Sequence, residues 1–312
     1  MLIFLVLSSK RYREFYYCKN HNNNCKYFLY ANARLLKWNC MRQHLPSKTS
    51  NFVLTSRNYE EDDSSRGRQD GCSDIIGGHP VPPHSRPYMA AIQTKNSTVC
   101  GGALVGDQWV LTAAHCTLEK EEFRVVLGAH RASIHEKEQQ IFKVMNIFSH
   151  PQFNKSSRTN DIMLVKLDRV ANLNKYVQLL HLPECAEDIK HGTECTVAGW
   201  GITSSEKPSE CLRETTLKIV DRKKCEKQYI KKKVKITSNM LCARGRKKFR
   251  RSDACQGDSG GPLICRGHYS GIVSFGEECE KRHKGHLPGV YTRLTKNYID
   301  WIKETVSHNR VP

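Results

Sequence analysis

From residue 75 onward, apolar positions come in short runs separated by Gly, Pro, Asn and Asp. Such runs fall at residues 88–93, 123–127, 140–148, 162–167, 195–199, 216–220, 262–265, 269–275 and 289–294. Many short β-type segments with turn residues between them predict an all-β barrel or sandwich. One stretch has a different period. Tyr298, Ile299, Trp301, Ile302 and Val306 recur at helical spacing, which predicts a terminal amphipathic helix over about 294–307 that docks on the body. Residues 8–74 are rich in Asn, Arg, Lys and Tyr, carry the acidic patch Glu60-Glu61-Asp62-Asp63, and show no sustained helical or strand period. Residues 1–74 therefore read either as a pro-segment or leader without fixed structure, or as an upstream stretch wrongly joined to residues 75–312. No repeat of fixed period runs through the chain.

Composition sharpens this picture. At 312 residues the length allows one large or two smaller domains. Residues 1–74 hold 12 basic and 7 acidic residues, which leaves +14 of the net +19 on residues 75–312. That balance favours polyanionic partners, though plain solubility reads the same way in composition alone. Fourteen cysteines without paired Cys-x-x-Cys spacing point to an oxidising, secretory-route compartment rather than to zinc. The sequons at Asn96 and Asn154 agree with that compartment. Leu2 to Leu7 is shorter than a usual signal core, with Lys and Arg after it rather than before it. No run approaches the length of a membrane span.

The candidate chemistry sits in four places. Asp253-Ala254-Cys255-Gln256-Gly257-Asp258-Ser259-Gly260-Gly261 puts a serine between glycines and behind an aspartate. A serine hydroxyl needs a neighbouring base to become a nucleophile, and flanking glycines let backbone N–H groups turn toward a substrate oxygen. The pentapeptide alone reads equally well as a surface turn. His115, in Thr112-Ala113-Ala114-His115-Cys116, ends an apolar run beside a cysteine, and imidazole suits a general base and acid at neutral pH. Asp161, in Asn160-Asp161-Ile162-Met163-Leu164, opens an apolar strand, where a carboxylate can fix an imidazole tautomer or simply cap the strand. Ile75-Ile76-Gly77-Gly78 stands where the texture changes, and a new α-amino group at Ile75 has a candidate partner in Asp258.

In the order Ile-Ile-Gly-Gly, His, Asp, Gly-Asp-Ser-Gly-Gly, these motifs make residues 75–312 resemble the chymotrypsin-like serine proteases. The nearer likeness is to granzymes of the A and K type, on Pro83-His84-Ser85-Arg86-Pro87-Tyr88-Met89, Leu127-Gly128-Ala129-His130, Leu173-Asn174-Lys175-Tyr176-Val177, Val197-Ala198-Gly199-Trp200-Gly201 and Leu212-Arg213-Glu214. The resemblance implies two six-stranded antiparallel β-barrels with a C-terminal helix, the first barrel over about 75–185 and the second over about 186–293. It implies a triad of Ser259, His115 and Asp161 in the cleft, with an oxyanion hole from the N–H groups of Gly257 and Ser259. Ser274 would hydrogen-bond Asp161 and begin the strand that pairs with substrate. Asp253 would floor the primary specificity pocket between small Gly276 and Gly289, selecting a cationic side chain before the scissile bond. Ala254 stands where granzymes A and K usually carry serine. Lysine would miss that hydroxyl more than arginine, whose fork binds a carboxylate bidentately, so Arg is expected over Lys.

The same resemblance implies the disulfides Cys100–Cys116, Cys195–Cys265, Cys225–Cys242 and Cys255–Cys279. Cys185 and Cys211 have no partner in that pattern, which leaves a mutual bridge or a link to Cys72. Gln152 occupies the place of the granzyme A cysteine that joins two subunits, and Ala129 stands where calcium-binding relatives carry glutamate, so no metal or other cofactor is expected. Ser73-Asp74 before Ile75 resembles the granzyme dipeptide removed on maturation. Further implications are protein substrates with Arg or Lys before the scissile bond, serine protease inhibitors as partners, and storage in, or secretion from, cytotoxic granules. The basic runs at 223–224, 231–233, 247–251 and 281–284 favour sulfated proteoglycan or heparin over specific nucleic acid, because no aromatic platform or groove-reading helix accompanies them. Two other readings compete: a digestive or mast-cell-type tryptic protease, and a catalytically silent cationic binding protein on the same fold.

Overall fold

The computed structural model describes residues 78–94, 97–116, 123–202, 207–245, 257–277 and 287–309, and the backbone alone of 6–9, 12–18 and 25–29. The chain divides into two units, residues 1–65 and 66–312. In the first, β1 (Val6–Ser9), β2 (Tyr12–Cys18) and β3 (Cys25–Leu29) form an antiparallel sheet in which Phe15 faces Phe28 and Cys18 faces Cys25 in register. Pairing occurs here with little polar/apolar alternation to announce it. The aromatic runs Phe15-Tyr16-Tyr17 and Tyr27-Phe28 nonetheless have strand-favouring composition.

The second unit holds two closed six-stranded antiparallel barrels and a C-terminal helix. The first barrel comprises β5 (Met89–Thr94), β6 (Ser97–Gly106), β7 (Trp109–Thr112), β8 (Phe123–Leu127), β9 (Gln140–Ser149) and β10 (Met163–Leu167), paired in the order β10-β7-β6-β5-β8-β9. Closure leaves no free edge, so every strand of this small barrel is paired on both sides. Its interior is apolar: Ile92, Leu104, Leu111, Leu127, Phe142 and Leu164 are fully buried.

The second barrel is built from β11 (Glu194–Gly199), β12 (Arg213–Val220), β13 (Met240–Gly245), β14 (Pro262–Cys265), β15 (His268–Phe275) and β16 (Gly289–Arg293). The order is β11-β14-β15-β16-β13-β12, and the β11–β12 pairing closes it. β12 shows the cleanest alternation, with Thr215, Leu217 and Ile219 buried and Thr216, Lys218 and Val220 half-exposed. That is the period-2 pattern of a strand with one face on a core. The short β4 (His79–Pro80) adds to the outer side of β12, and the Arg213 guanidinium donates to the Gly78 carbonyl there at 2.9 Å. The chain downstream of the Ile75 region is thus tied to the second barrel before it enters the first.

Two helices obey different logics. α1 (Arg222–Tyr229), continued by a 3₁₀ turn over Ile230–Lys232, buries only Cys225 and Tyr229. Two apolar contacts in eight residues leave no readable helical period, so sequence patterning passes over it. α2 (Lys296–His308) buries Tyr298, Ile299 and Ile302, and the Thr295 side chain caps it by accepting from the Tyr298 N–H. Its bounds lie two residues later at the start and one later at the end than the sequence period predicts. β6 escapes patterning for another reason, since Cys100-Gly101-Gly102 interrupts its apolar run.

Three disulfides are described: Cys100–Cys116, Cys195–Cys265 and Cys225–Cys242. Cys211 is also disulfide-bonded, to a partner outside the described residues, and not to Cys185. Cys255 and Cys279, like Cys72, lie outside them too. Among the described residues no helix is long and apolar enough to cross a membrane.

Candidate active site

The site is built where the barrels meet, from side chains that each barrel presents at strand ends. β7 ends at Thr112, and the turn Ala113–Cys116, closed by the Cys116 N–H on the Ala113 carbonyl at 3.1 Å, projects His115 from the first barrel. The Cys100–Cys116 bridge pins that turn to β6, and Thr112 Oγ1 donates to the Gly101 carbonyl at 2.8 Å. Asp161 lies just before β10 and is 0% exposed.

A buried carboxylate is costly unless its oxygens are hydrogen-bonded. Here they are. Asp161 Oδ1 accepts from the His115 backbone N–H at 2.8 Å, and Oδ2 lies 2.7 Å from His115 Nδ1, which donates as the Nδ1–H tautomer. Ser274 Oγ, from β15 of the second barrel, donates to the same Oδ2 at 2.5 Å. Thr292 Oγ1, from β16, donates to the Asp161 carbonyl at 2.9 Å. The carboxylate is therefore held from both barrels, and it fixes the face of an imidazole whose side chain is only 12% exposed. The preceding Asn160 takes a left-handed φ of 55°, and Tyr298 Oη of α2 donates to its side-chain oxygen at 2.7 Å. The terminal helix thus braces the turn that delivers Asp161.

Ser259 stands on the turn before β14. Its carbonyl accepts from the Gly101 N–H at 2.7 Å, so the same β6 residue that receives Thr112 also receives the serine turn. Gly257, two residues earlier, has φ of +95°, a conformation that L side chains rarely adopt. The turn is sealed on its far side by the Gly261 N–H on the Asp258 carbonyl and the Gly260 N–H on the Val273 carbonyl, both at 2.9 Å. Asp258 is buried, with its carboxylate seated against Gly199-Trp200-Gly201 and accepting from the Gly201 N–H at 2.8 Å. A Cβ on Gly199 or Gly201 would overlap that carboxylate. Two glycines that stand in the sequence only as a mark of likeness are thus the seat of Asp258, and the Gly-Trp-Gly spacing was the available signal.

Gly276 comes directly after β15 and Gly289 opens β16. A Cβ on the first would meet the second's Cα at 3.6 Å, so the two strand ends run close together with no side chain between them. Asn154 is exposed in the loop before Asp161, its side-chain oxygen accepting from the N–H groups of Ser156 and Ser157 at 3.0 and 2.9 Å. Ile75, Asn96 and Asp253 fall outside the described residues. The structure therefore brings together His115, Asp161 and Ser274 by direct hydrogen bonds, and Ser259 by the shared Gly101.

A family profile described as Trypsin matches residues 75–302. Granzyme A of Bos taurus is 42% identical over 239 residues, covering 76% of this chain and 89% of that protein. The chain belongs to the trypsin family. Mast cell protease 3 of Ovis aries is 42% identical over 236 residues, 74% of this chain and 89% of its own length. Trypsin-4 of Rattus norvegicus is 41% identical over 241 residues, with shares of 75% and 91%. Trypsin-family membership makes this chain a serine endopeptidase, a disulfide-bonded hydrolase that acts on proteins and belongs to the class that serine protease inhibitors target.

Proposed function

We propose that this chain is a tryptic endopeptidase of the granzyme type, cleaving after Arg and then Lys, with Ser259 as nucleophile, His115 as base and acid, and Asp161 as orienting carboxylate. The observation that carries the reading is the line Ser274–Asp161–His115, hydrogen-bonded across the barrel seam beside Ser259. In the reaction, Ser259 Oγ bonds to the scissile carbonyl carbon while its proton passes to His115 Nε2. The carbonyl oxygen becomes an oxyanion facing the Gly257 and Ser259 N–H groups. The imidazolium is stabilised by Asp161 and returns its proton to the departing amine as the C–N bond breaks. Water, deprotonated by the same histidine, then attacks the acyl-serine, releasing the carboxylic acid and restoring the Ser259 hydroxyl.

Asp253 supplies the negative charge that selects Arg or Lys, reached between Gly276 and Gly289. Release of the Ile75 amine, after removal of Ser73-Asp74, lets it pair with Asp258 and lock the serine turn. Secretion, granule storage in cytotoxic cells and retention on sulfated proteoglycan fit the cysteine usage and the +14 charge of residues 75–312. The test is kinetics of the chain processed to begin at Ile75 on matched Arg, Lys, Asp and Phe substrates. The expected order in kcat/KM is Arg above Lys, with Asp and Phe not cleaved. Equal values for Arg and Lys would remove the role given to Ala254, and preference for Asp or Phe would overturn the tryptic reading.

A digestive or mast-cell role is the second reading, favoured by the nearly equal identities of the mast cell protease and trypsin relatives. N-terminal sequencing of the secreted protein tests the granzyme-type processing, which requires a start at Ser73 or Ile75; a start far from both would sink it.

A further inference from the structure

The most unbalanced charge in the described structure is on α1 and the 3₁₀ turn after it. Residues 221–235 hold eight basic and two acidic residues. Both acids are committed elsewhere or recessed: Asp221 caps α1 by accepting from the Lys224 N–H at 2.9 Å, and Glu226 is half-buried. Arg222 is answered, because its two terminal nitrogens each donate to an Asp188 oxygen at 2.7 Å. Lys223, Lys224, Lys227, Lys231, Lys232 and Lys233 are all exposed, and none makes an ion pair among the described residues.

Helix stability does not explain this placement. The first turn of α1 contains no acidic residue, and Lys223 and Lys224 sit at its positive dipole end. Lys223 and Lys227 are four residues apart on one face, and Lys231 continues the row, so like charges oppose one another along it. Meanwhile the mount is rigid. Cys225–Cys242 ties the helix to β13, Tyr229 Oη donates to the Pro288 carbonyl at 2.6 Å, and Tyr229 meets Phe275 edge-on at 5.8 Å. At an α-helical and 3₁₀ rise the row from Lys223 to Lys231 spans roughly 13 Å. A rigid row of uncompensated ammonium groups concentrates polyvalent counter-anions.

We propose that the outer face of α1 and its 3₁₀ extension is the docking site for a sulfated glycosaminoglycan, which rests on the polyanion reading of the proposed function and gives it a place. Lysines bind as point charges, which suits irregularly spaced sulfates. Nucleic acid is the poorer fit: the site has no arginine forks on its outer face and no exposed aromatic for base stacking, Ile230 being its one large exposed apolar side chain. The helix presents this row on the side opposite Cys225 and Tyr229, so the ligand lies away from the strand that carries Ser274.

The experiment measures binding of a size-defined heparin oligosaccharide to the full chain over a range of salt. One variant carries Lys223→Gln, Lys227→Gln and Lys231→Gln; a second carries Lys247→Gln, Lys248→Gln, Arg250→Gln and Arg251→Gln. The first is expected to lose affinity by about tenfold or more and to flatten the salt dependence by about three charges, with the second changing less. Its melting temperature should be unchanged or raised, because the lysines removed oppose the helix, and a single Lys227→Gln should move affinity in the same direction by less. If the wild type binds but only the second variant weakens, the α1 site is wrong and the polyanion reading stands. A wild type that ignores heparin at low salt overturns the polyanion reading itself. Displacement of heparin by duplex DNA of equal charge, at equal concentration, would overturn the choice of ligand class.

Discussion

Asp161 and the lysines of α1 are charged groups that the fold treats in opposite ways. Asp161 has no exposed surface, and its two carboxylate oxygens accept from His115 N–H, His115 Nδ1 and Ser274 Oγ. The lysines are exposed along a disulfide-pinned helix, and none of them forms an ion pair among the described residues. A buried charge that is fully satisfied is costly to disturb and orients whatever it touches. An exposed charge left unsatisfied contributes little to stability and leaves its interaction for a ligand. Under the proposed function, the first arrangement would serve a reaction that needs one imidazole tautomer, and the second would leave its charge for a polyanionic partner.

The contrast is most strongly tested at Asp161. Asp161→Asn keeps the shape but turns one acceptor oxygen into a donor, so the His115 tautomer flips; kcat on an Arg substrate is expected to drop about 10⁴-fold while the melting curve stays cooperative. Ser274→Ala removes one donor to Oδ2 and leaves the rest. A loss of about tenfold, confined to kcat and restored by Ser274→Thr, identifies Ser274 as a positioning residue. An equal loss in KM would instead point to a disturbed substrate strand. The smallest effect is expected at His150, a third kind of charged site. It lies edge-on to Tyr298 at 5.4 Å, close to Trp301, and its Nδ1 accepts from the Gln152 N–H at 3.2 Å. Burial pulls its pKa below the ordinary 6.5. The stability that the neutral ring confers is therefore complete above pH 6.5 and is lost as pH falls through the depressed folded value. His150→Phe should flatten melting temperature against pH in that window, by an effect within about 1 kcal/mol. An unchanged slope would assign the acid sensitivity to another group.

How much of this was legible in the sequence depended on how far apart the partners lie. Strands of both barrels announced themselves where an apolar run stood out between turn residues, as in β8 and β15, whereas β13 passed unread although Met240-Leu241-Cys242-Ala243 is unbroken. β6 was lost at Gly101-Gly102, where glycine removes the side-chain pattern for the sake of close backbone approach. His115, Asp161 and Ser259 were nameable because each stands in a distinctive local motif. Their fit was legible only through the family resemblance, which foretold the Ser274–Asp161 hydrogen bond; the two are 113 residues apart and nothing local encodes a contact between them. Contacts outside that resemblance went unread. Asn160 and Tyr298, 138 residues apart, escaped for the same reason. α1 escaped because its pattern is one of charge rather than of apolar period, and a row of lysines reads first as a solvated loop.

The peptide units around Gly101 connect the barrels in a way that bears on how such a molecule tolerates change. The Gly101 N–H reaches the Ser259 carbonyl, its own carbonyl takes the Thr112 hydroxyl, and its neighbour Cys100 anchors the turn of His115. Ser259 and His115 come from different barrels, yet both are gauged from a single residue, like two arms hung on one pivot. Substitutions can accumulate in either barrel wall without altering the reach between them, provided this one link keeps its length. Its weak point is correspondingly small: a side chain at residue 101 would press on Gly261 at 3.2 Å and lengthen both arms at once.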